Sequence, residues 1–132
     1  MKGTYILVME LEKDSSIIIG KKGIMIFEKG WYCYIGSALN GLEQRIKRHM
    51  RSDKKTHWHI DYFLKKVVVK DIFIKESMEK QECKVAKDFS KRFTGISHFG
   101  CSDCICQSHL FYEKNGEFLD LIKDLGFISF SI

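Results

Sequence analysis

The sequence predicts an α+β fold, and three observations carry that expectation. Strand-like and helix-like runs are mixed along the chain without the strict alternation that builds a parallel sheet. Residues 3–11 (GTYILVMEL) are apolar on both alternating faces, as in a central strand covered on both sides. Hydrophobic residues make up 45% of a 132-residue chain, enough to bury a core as one domain over residues 1–132.

The elements follow in order. After the first strand, residues 16–20 and 23–27 are short β-rich runs around G-K-K-G and read as a hairpin, its turn glycines carrying solvated lysines. Residues 30–36 (GWYCYIG) are another strand, and Asn40 is placed to cap a helix over about residues 41–52. A short helix is expected over 59–65 and a strand over 67–76. Ser77 is the candidate cap of a long helix over 78–93. Residues 94–107 read as irregular, then 109–112, 117–125 and 127–130 as strand, helix and strand. Proline is absent, so the turns fall to Gly, Asn, Asp and Ser, and no linker or repeat interrupts the chain.

Composition bounds the function classes. No apolar run approaches the length that crosses a bilayer, and acids interrupt the short apolar start before any cleavage site, so neither a membrane span nor a signal peptide is expected. Five cysteines without a secretion signal suit reduced thiols in a cytosol. Twenty-two Lys and Arg against seventeen Asp and Glu give a net charge of +5, compatible with a polyanionic partner without requiring one.

The 78–93 helix breaks its own pattern. At ~100° per residue, Met78, Glu82, Val85, Ala86, Phe89 and Phe93 share one face, which puts Glu82 inside the apolar stripe. A carboxylate there needs a cation, a metal or hydrogen-bond donors, because burial alone costs several kcal/mol. It is a candidate metal ligand or a structural partner of a buried arginine. In the 41–52 helix, Leu42, Ile46 and Met50 line one face, with Arg45 and His49 an i, i+4 pair at its border. Arg45 suits a phosphate, since its planar fork grips oxygens and keeps its charge, and it equally suits a stem covering the core edge. Lys47, Arg48, Arg51, Lys54 and Lys55 then cluster with His57 and His59 around Trp58, with Asp53 the acid among them. This basic segment with aromatic neighbours suits contact with a nucleic-acid backbone, or simply a solvated face. Tyr5, Tyr32 and Tyr34 sit in strands, where tyrosines ordinarily pack. Cys101, Cys104, Cys106 and His109 offer soft ligands at tight spacing; a structural zinc is one reading, and thiols packed in a loop the favoured one.

Taken together, Gly3-Thr4-Tyr5, Tyr34-Ile35-Gly36, the run YIGSALNGLEQRIKRH and the glutamate of QEC resemble the GIY-YIG nuclease superfamily. The HWHIDYFL block and the SDC…C.SHLFY block resemble its small Uri-type branch, sometimes found fused to endonuclease III, so the resemblance spans nearly the whole chain. It implies a small antiparallel sheet flanked by helices and a metal-dependent hydrolase of DNA phosphodiester bonds, with RNA as another substrate class. Glu82 would hold one Mg²⁺ or Mn²⁺, Tyr5 would be the general base or share that role with Tyr34, Arg45 would stabilise the transition state, and His49 would orient or shuttle a proton. DNA is the implied partner, with base-excision repair proteins as associates. The rival classes are a non-catalytic nucleic-acid-binding module and a zinc-binding interaction domain. Glu82 separates the first rival from the enzyme, because binding alone has no use for an acid facing a phosphate.

Overall fold

The computed structural model describes residues 1–100 and 108–131. Strand β1 (Gly3–Leu11) leads into a hairpin of β2 (Ser15–Ile18) and β3 (Ile24–Phe27), then β4 (Gly30–Ala38), helices α1 (Leu42–Met50) and α2 (His59–Phe63), and β5 (Val68–Glu76). Helix α3 (Glu82–Ser90), β6 (Thr94–Gly95), β7 (Leu110–Glu113), α4 (Leu119–Asp124) and β8 (Ile128–Ser129) follow among the described residues. Six strands form one sheet in the order β6-β7-β4-β1-β5-β8, and every neighbouring pair is antiparallel. The β2–β3 hairpin is a separate two-stranded sheet. The fold is therefore α+β around a central antiparallel sheet. No helix among the described residues is long and apolar enough to cross a membrane.

The two apolar faces of β1 build two cores. Tyr5, Leu7, Met9 and Leu11 pack with Leu42 and Ile46 of α1, Ile60 and Phe63 of α2, and Ile17 and Phe27 of the hairpin. Ile6 and Val8 face the other way, against Val85, Ala86 and Phe89 of α3 and Leu121 and Ile122 of α4. A strand paired on both edges and buried on both faces has to be apolar throughout, which is why its hydrophobic residues do not alternate with polar ones.

Two helix starts differ from expectation. Gly41, not Asn40, occupies the cap position of α1, and the Leu42 N–H is taken by the Met1 carbonyl. Helix α3 begins at Glu82 rather than 78, because the Ser77 hydroxyl bonds locally with Glu79, accepting its N–H and donating to its carbonyl. Such a local loop competes with helix formation. Met78 is exposed as a result, while Val85, Ala86 and Phe89 keep the predicted buried stripe. Glu82 is half-buried in the first turn, where a carboxylate also suits the helix dipole, instead of lying mid-stripe.

Candidate active site

Register places the first candidates. Antiparallel pairing sets Tyr5 opposite Gly36 and Leu7 opposite Tyr34, so Tyr5, Tyr34 and the bare position of Gly36 share the α1 face of the sheet. The Tyr5 ring lies over Gly36: a Cβ there would sit 2.4 Å from the Tyr5 hydroxyl. Glycine in the YIG triplet thus makes room for the tyrosine of the strand beside it. Helix α1 brings His49 down onto the same face, buried one turn after Ile46. The rings of Tyr5, Tyr34 and His49 stand 5.3–6.3 Å apart, centroid to centroid. The Tyr5 hydroxyl and His49 Nε2 share a hydrogen bond of 2.6 Å.

Burial governs the ionisation of that pair. It pushes the His49 imidazole down to about 3, with Lys54, Arg48 and Arg45 acting in the same direction. It pushes the Tyr5 phenol well above its ordinary value, and the opposing pull of Arg45 does not overcome it. Both groups are neutral at ordinary pH, and the shift on Tyr5 is opposite to the one that the implied base role requires. Tyr32, expected to be a packing residue, donates to the Glu28 carbonyl at 2.6 Å and stacks on Phe63.

Ser37 joins the other two candidates. It lies opposite Thr4, so its side chain points to the α3 face, where its hydroxyl donates to Glu82 Oε2. Its carbonyl accepts from Arg45 Nη1 at 3.1 Å. One residue at the end of β4 therefore meets an arginine from α1 and a glutamate from α3. Around this junction opens a cleft of about 730 Å³ lined by Tyr34, Ser37, Arg45, Glu82, His59 and Lys80, among others. A second cavity, of about 660 Å³ between α3 and β7, lacks the tyrosine, arginine and glutamate.

The basic segment divides. Arg48 is held by Asp61, donating from Nη1 and Nη2 at 3.0 and 3.1 Å, and both Arg45 and Arg48 lie against the Trp58 ring, at 4.6 and 4.3 Å from its centroid. Lys54 donates to the His49 and Arg51 carbonyls and caps the end of α1. These two cations make hydrogen bonds within the fold, where the sequence suggested contact with a nucleic-acid backbone or, failing that, a solvated face. Lys47 and Arg51 are exposed and make surface pairs with Glu43 and Asp53, which hold them weakly. Lys55 and His57 are exposed as well, and His57 lines the cleft. His59 lines it too, with Nδ1 accepting the Gly100 N–H at 3.0 Å, which leaves Nε2 to carry the hydrogen of the neutral ring.

Sequence reasoning missed Asp61. It is fully buried, accepts from the N–H groups of His57 and Trp58 as well as from Arg48, and fixes the connection between α1 and α2. Burial alone would raise its carboxyl, but the Arg48, Trp58 and His57 donors hold it below the ordinary carboxylate range. The signal was an acid placed just past a run of cations. Of the cysteine cluster, Cys101, Cys104 and Cys106 lie outside the described residues. His109 is buried, and its Nε2 is 3.7 Å from Cys83 Sγ on α3. Among the described residues no group of three or more His, Cys, Asp or Glu is placed to hold a metal.

Residues 4–126 match the family described as a domain of unknown function, DUF123. No curated protein and no solved structure matches the chain.

Proposed function

The chain belongs to the DUF123 family, and from that footing we propose that it is a metal-dependent endonuclease of GIY-YIG type that hydrolyses DNA phosphodiester bonds. One observation carries the reading: Tyr34, Arg45 and Glu82, remote in sequence, line a single cleft, with the Tyr5–His49 pair directly behind it. A solvated face or a packing cluster has no reason to converge an acid, a guanidinium and a phenol on one opening.

Arg45 lies at the junction with its guanidinium over the Trp58 ring, so the N–H groups at its edge that Ser37 does not take can meet the non-bridging oxygens of a phosphate as charge builds there. Glu82 fits a hard divalent cation, because it is a half-buried carboxylate beside a hydroxyl and Mg²⁺ or Mn²⁺ takes few protein ligands, all oxygens. Such a cation supplies Lewis-acid polarisation of the phosphate. Tyr34, on the cleft wall, is the phenol placed to meet the attacking water, while Tyr5 lies behind it and keeps its proton. The His49 imidazole, neutral, holds Tyr5 in place rather than shuttling protons near neutral pH. A cytosolic setting, with reduced thiols, suits this chemistry.

The decisive measurement is nicking of supercoiled plasmid DNA with Mg²⁺ or Mn²⁺. The parent should nick, EDTA should stop it, and Glu82→Ala should lose at least ~100-fold in rate while still binding the plasmid. Nicking by Glu82→Ala at the parent rate overturns the assignment of Glu82. Binding without any cleavage by the parent leaves a nucleic-acid-binding module.

A further inference from the structure

The β2–β3 hairpin has two unlike sides. Its inner side packs on the core through Ile17, Ile19 and Phe27. Its outer side sets Ile18 opposite Ile24 and Ser16 opposite Ile26, and the three isoleucines are 63%, 72% and 80% exposed. Exposed edge ribbons are usually blunted by charge or polar residues, so a side on which three of four residues are exposed isoleucines is costly in solubility and unneeded for the fold. The tip is a tight turn over Gly20–Lys22, with Gly20 at φ 47° and Gly23 at φ 81°, and it presents Lys21 and Lys22 to solvent. From residue 15 to residue 27 there is no acid.

Position decides among occupants. Gly20 rests against the Tyr62 ring of α2, which fixes the tip, and Gly20 and Lys21 line the same cleft as Tyr34, Arg45 and Glu82. The basic tip is therefore continuous with the opening in which a phosphate would sit, and the apolar side runs back from that tip along the two strands. A polyanion complements a purely basic tip, and a two-stranded ribbon with apolar side chains is a shape that duplex grooves admit.

We propose that the hairpin is the element by which the protein grips duplex DNA beside the scissile phosphate, with Lys21 and Lys22 on backbone phosphates and Ile18, Ile24 and Ile26 laid against the groove wall. This deepens the nuclease reading and rests on it. The hairpin supplies affinity and register, and the cleft supplies the chemistry.

The test is fluorescence anisotropy of a labelled duplex in EDTA, which separates binding from cleavage, with the parent, Lys21→Ala/Lys22→Ala and Ile24→Thr/Ile26→Thr. Threonine keeps the strand preference, and the tip lysines are solvated, so at least one variant keeps the fold; circular dichroism melts check both. The lysine variant should bind about tenfold or more weakly near 0.1 M salt, with the slope of log K against log salt reduced by about two. The isoleucine variant should bind about fivefold more weakly with the slope unchanged. Parent-like binding by both variants overturns the proposal. So does a result in which Ile24→Thr/Ile26→Thr instead abolishes binding to phosphatidylserine vesicles, or dissociates a dimer in sedimentation, while duplex binding stays intact. Hairpin-dependent binding by a parent that never nicks plasmid would retain the grip and reject the nuclease.

Discussion

At the scale of single residues, the Tyr5–His49 hydrogen bond joins two groups that the fold keeps uncharged. The His49 value is depressed, so its stabilising contribution is complete above the ordinary 6.5 and drains away as pH falls from there towards about 3. The Tyr5 value is raised, so its contribution is complete below the ordinary 10 and drains away as pH climbs past it. Urea unfolding across pH should accordingly show a plateau between those two limits, and the His49 ring protons should not titrate by NMR until the protein unfolds in acid. A ring that titrates near 6.5 in the folded protein would mean that His49 is solvated. The tyrosines should part company in the same frame. Tyr34→Phe keeps the ring and removes only the hydroxyl at the cleft, and should lose at least ~100-fold in cleavage. Tyr5→Phe orphans a buried imidazole nitrogen and should cost about 1–3 kcal/mol of stability while retaining more of the activity. The reverse ranking in plasmid nicking would return the base role to Tyr5.

Among the elements, α2 owes its placement to one carboxylate. Asp61 has no solvent contact and accepts four hydrogen bonds, two from a guanidinium and two from the backbone N–H groups of His57 and Trp58 just ahead of α2. Asp61→Asn leaves Arg48 half-buried and uncompensated and should cost about 3–5 kcal/mol, read as a lower urea midpoint. A loss below about 1 kcal/mol would mean that Arg48 simply swings into water. This is also where the sequence was hardest to read. Periodicity revealed β1, the hairpin and the Leu42–Ile46 stripe of α1, because each is decided by which residues must leave water. The start of α3 escaped it, since Ser77 offers the same hydroxyl to a cap and to a local turn, and only its hydrogen bonds to Glu79 decide.

For the molecule as a whole, the candidate site was legible as residue types and not as geometry. Glu82 broke the pattern of its helix and Arg45 sat at the border of an apolar stripe, while Tyr34 was singled out only by the resemblance; Ser37, which touches both Arg45 and Glu82, needs the β1–β4 register and both helix layers to be seen. Charge misled for a related reason. Arg48 and Lys54 add to a basic run on paper, yet a buried carboxylate and the open end of a helix take them inward. The order of the strands carries a consequence for biogenesis. Strand β1 lies at the middle of the sheet, between β4 and β5, but leaves the ribosome before either. Its apolar residues must wait unpaired while translation continues past Ala38 for one neighbour and Glu76 for the other, and the outer strand β8 comes later still. Every pairing within the six-stranded sheet joins strands separated by more than ten residues, so folding should be slow for a chain of this size, and the nascent β1 is the segment that a chaperone would be expected to shield.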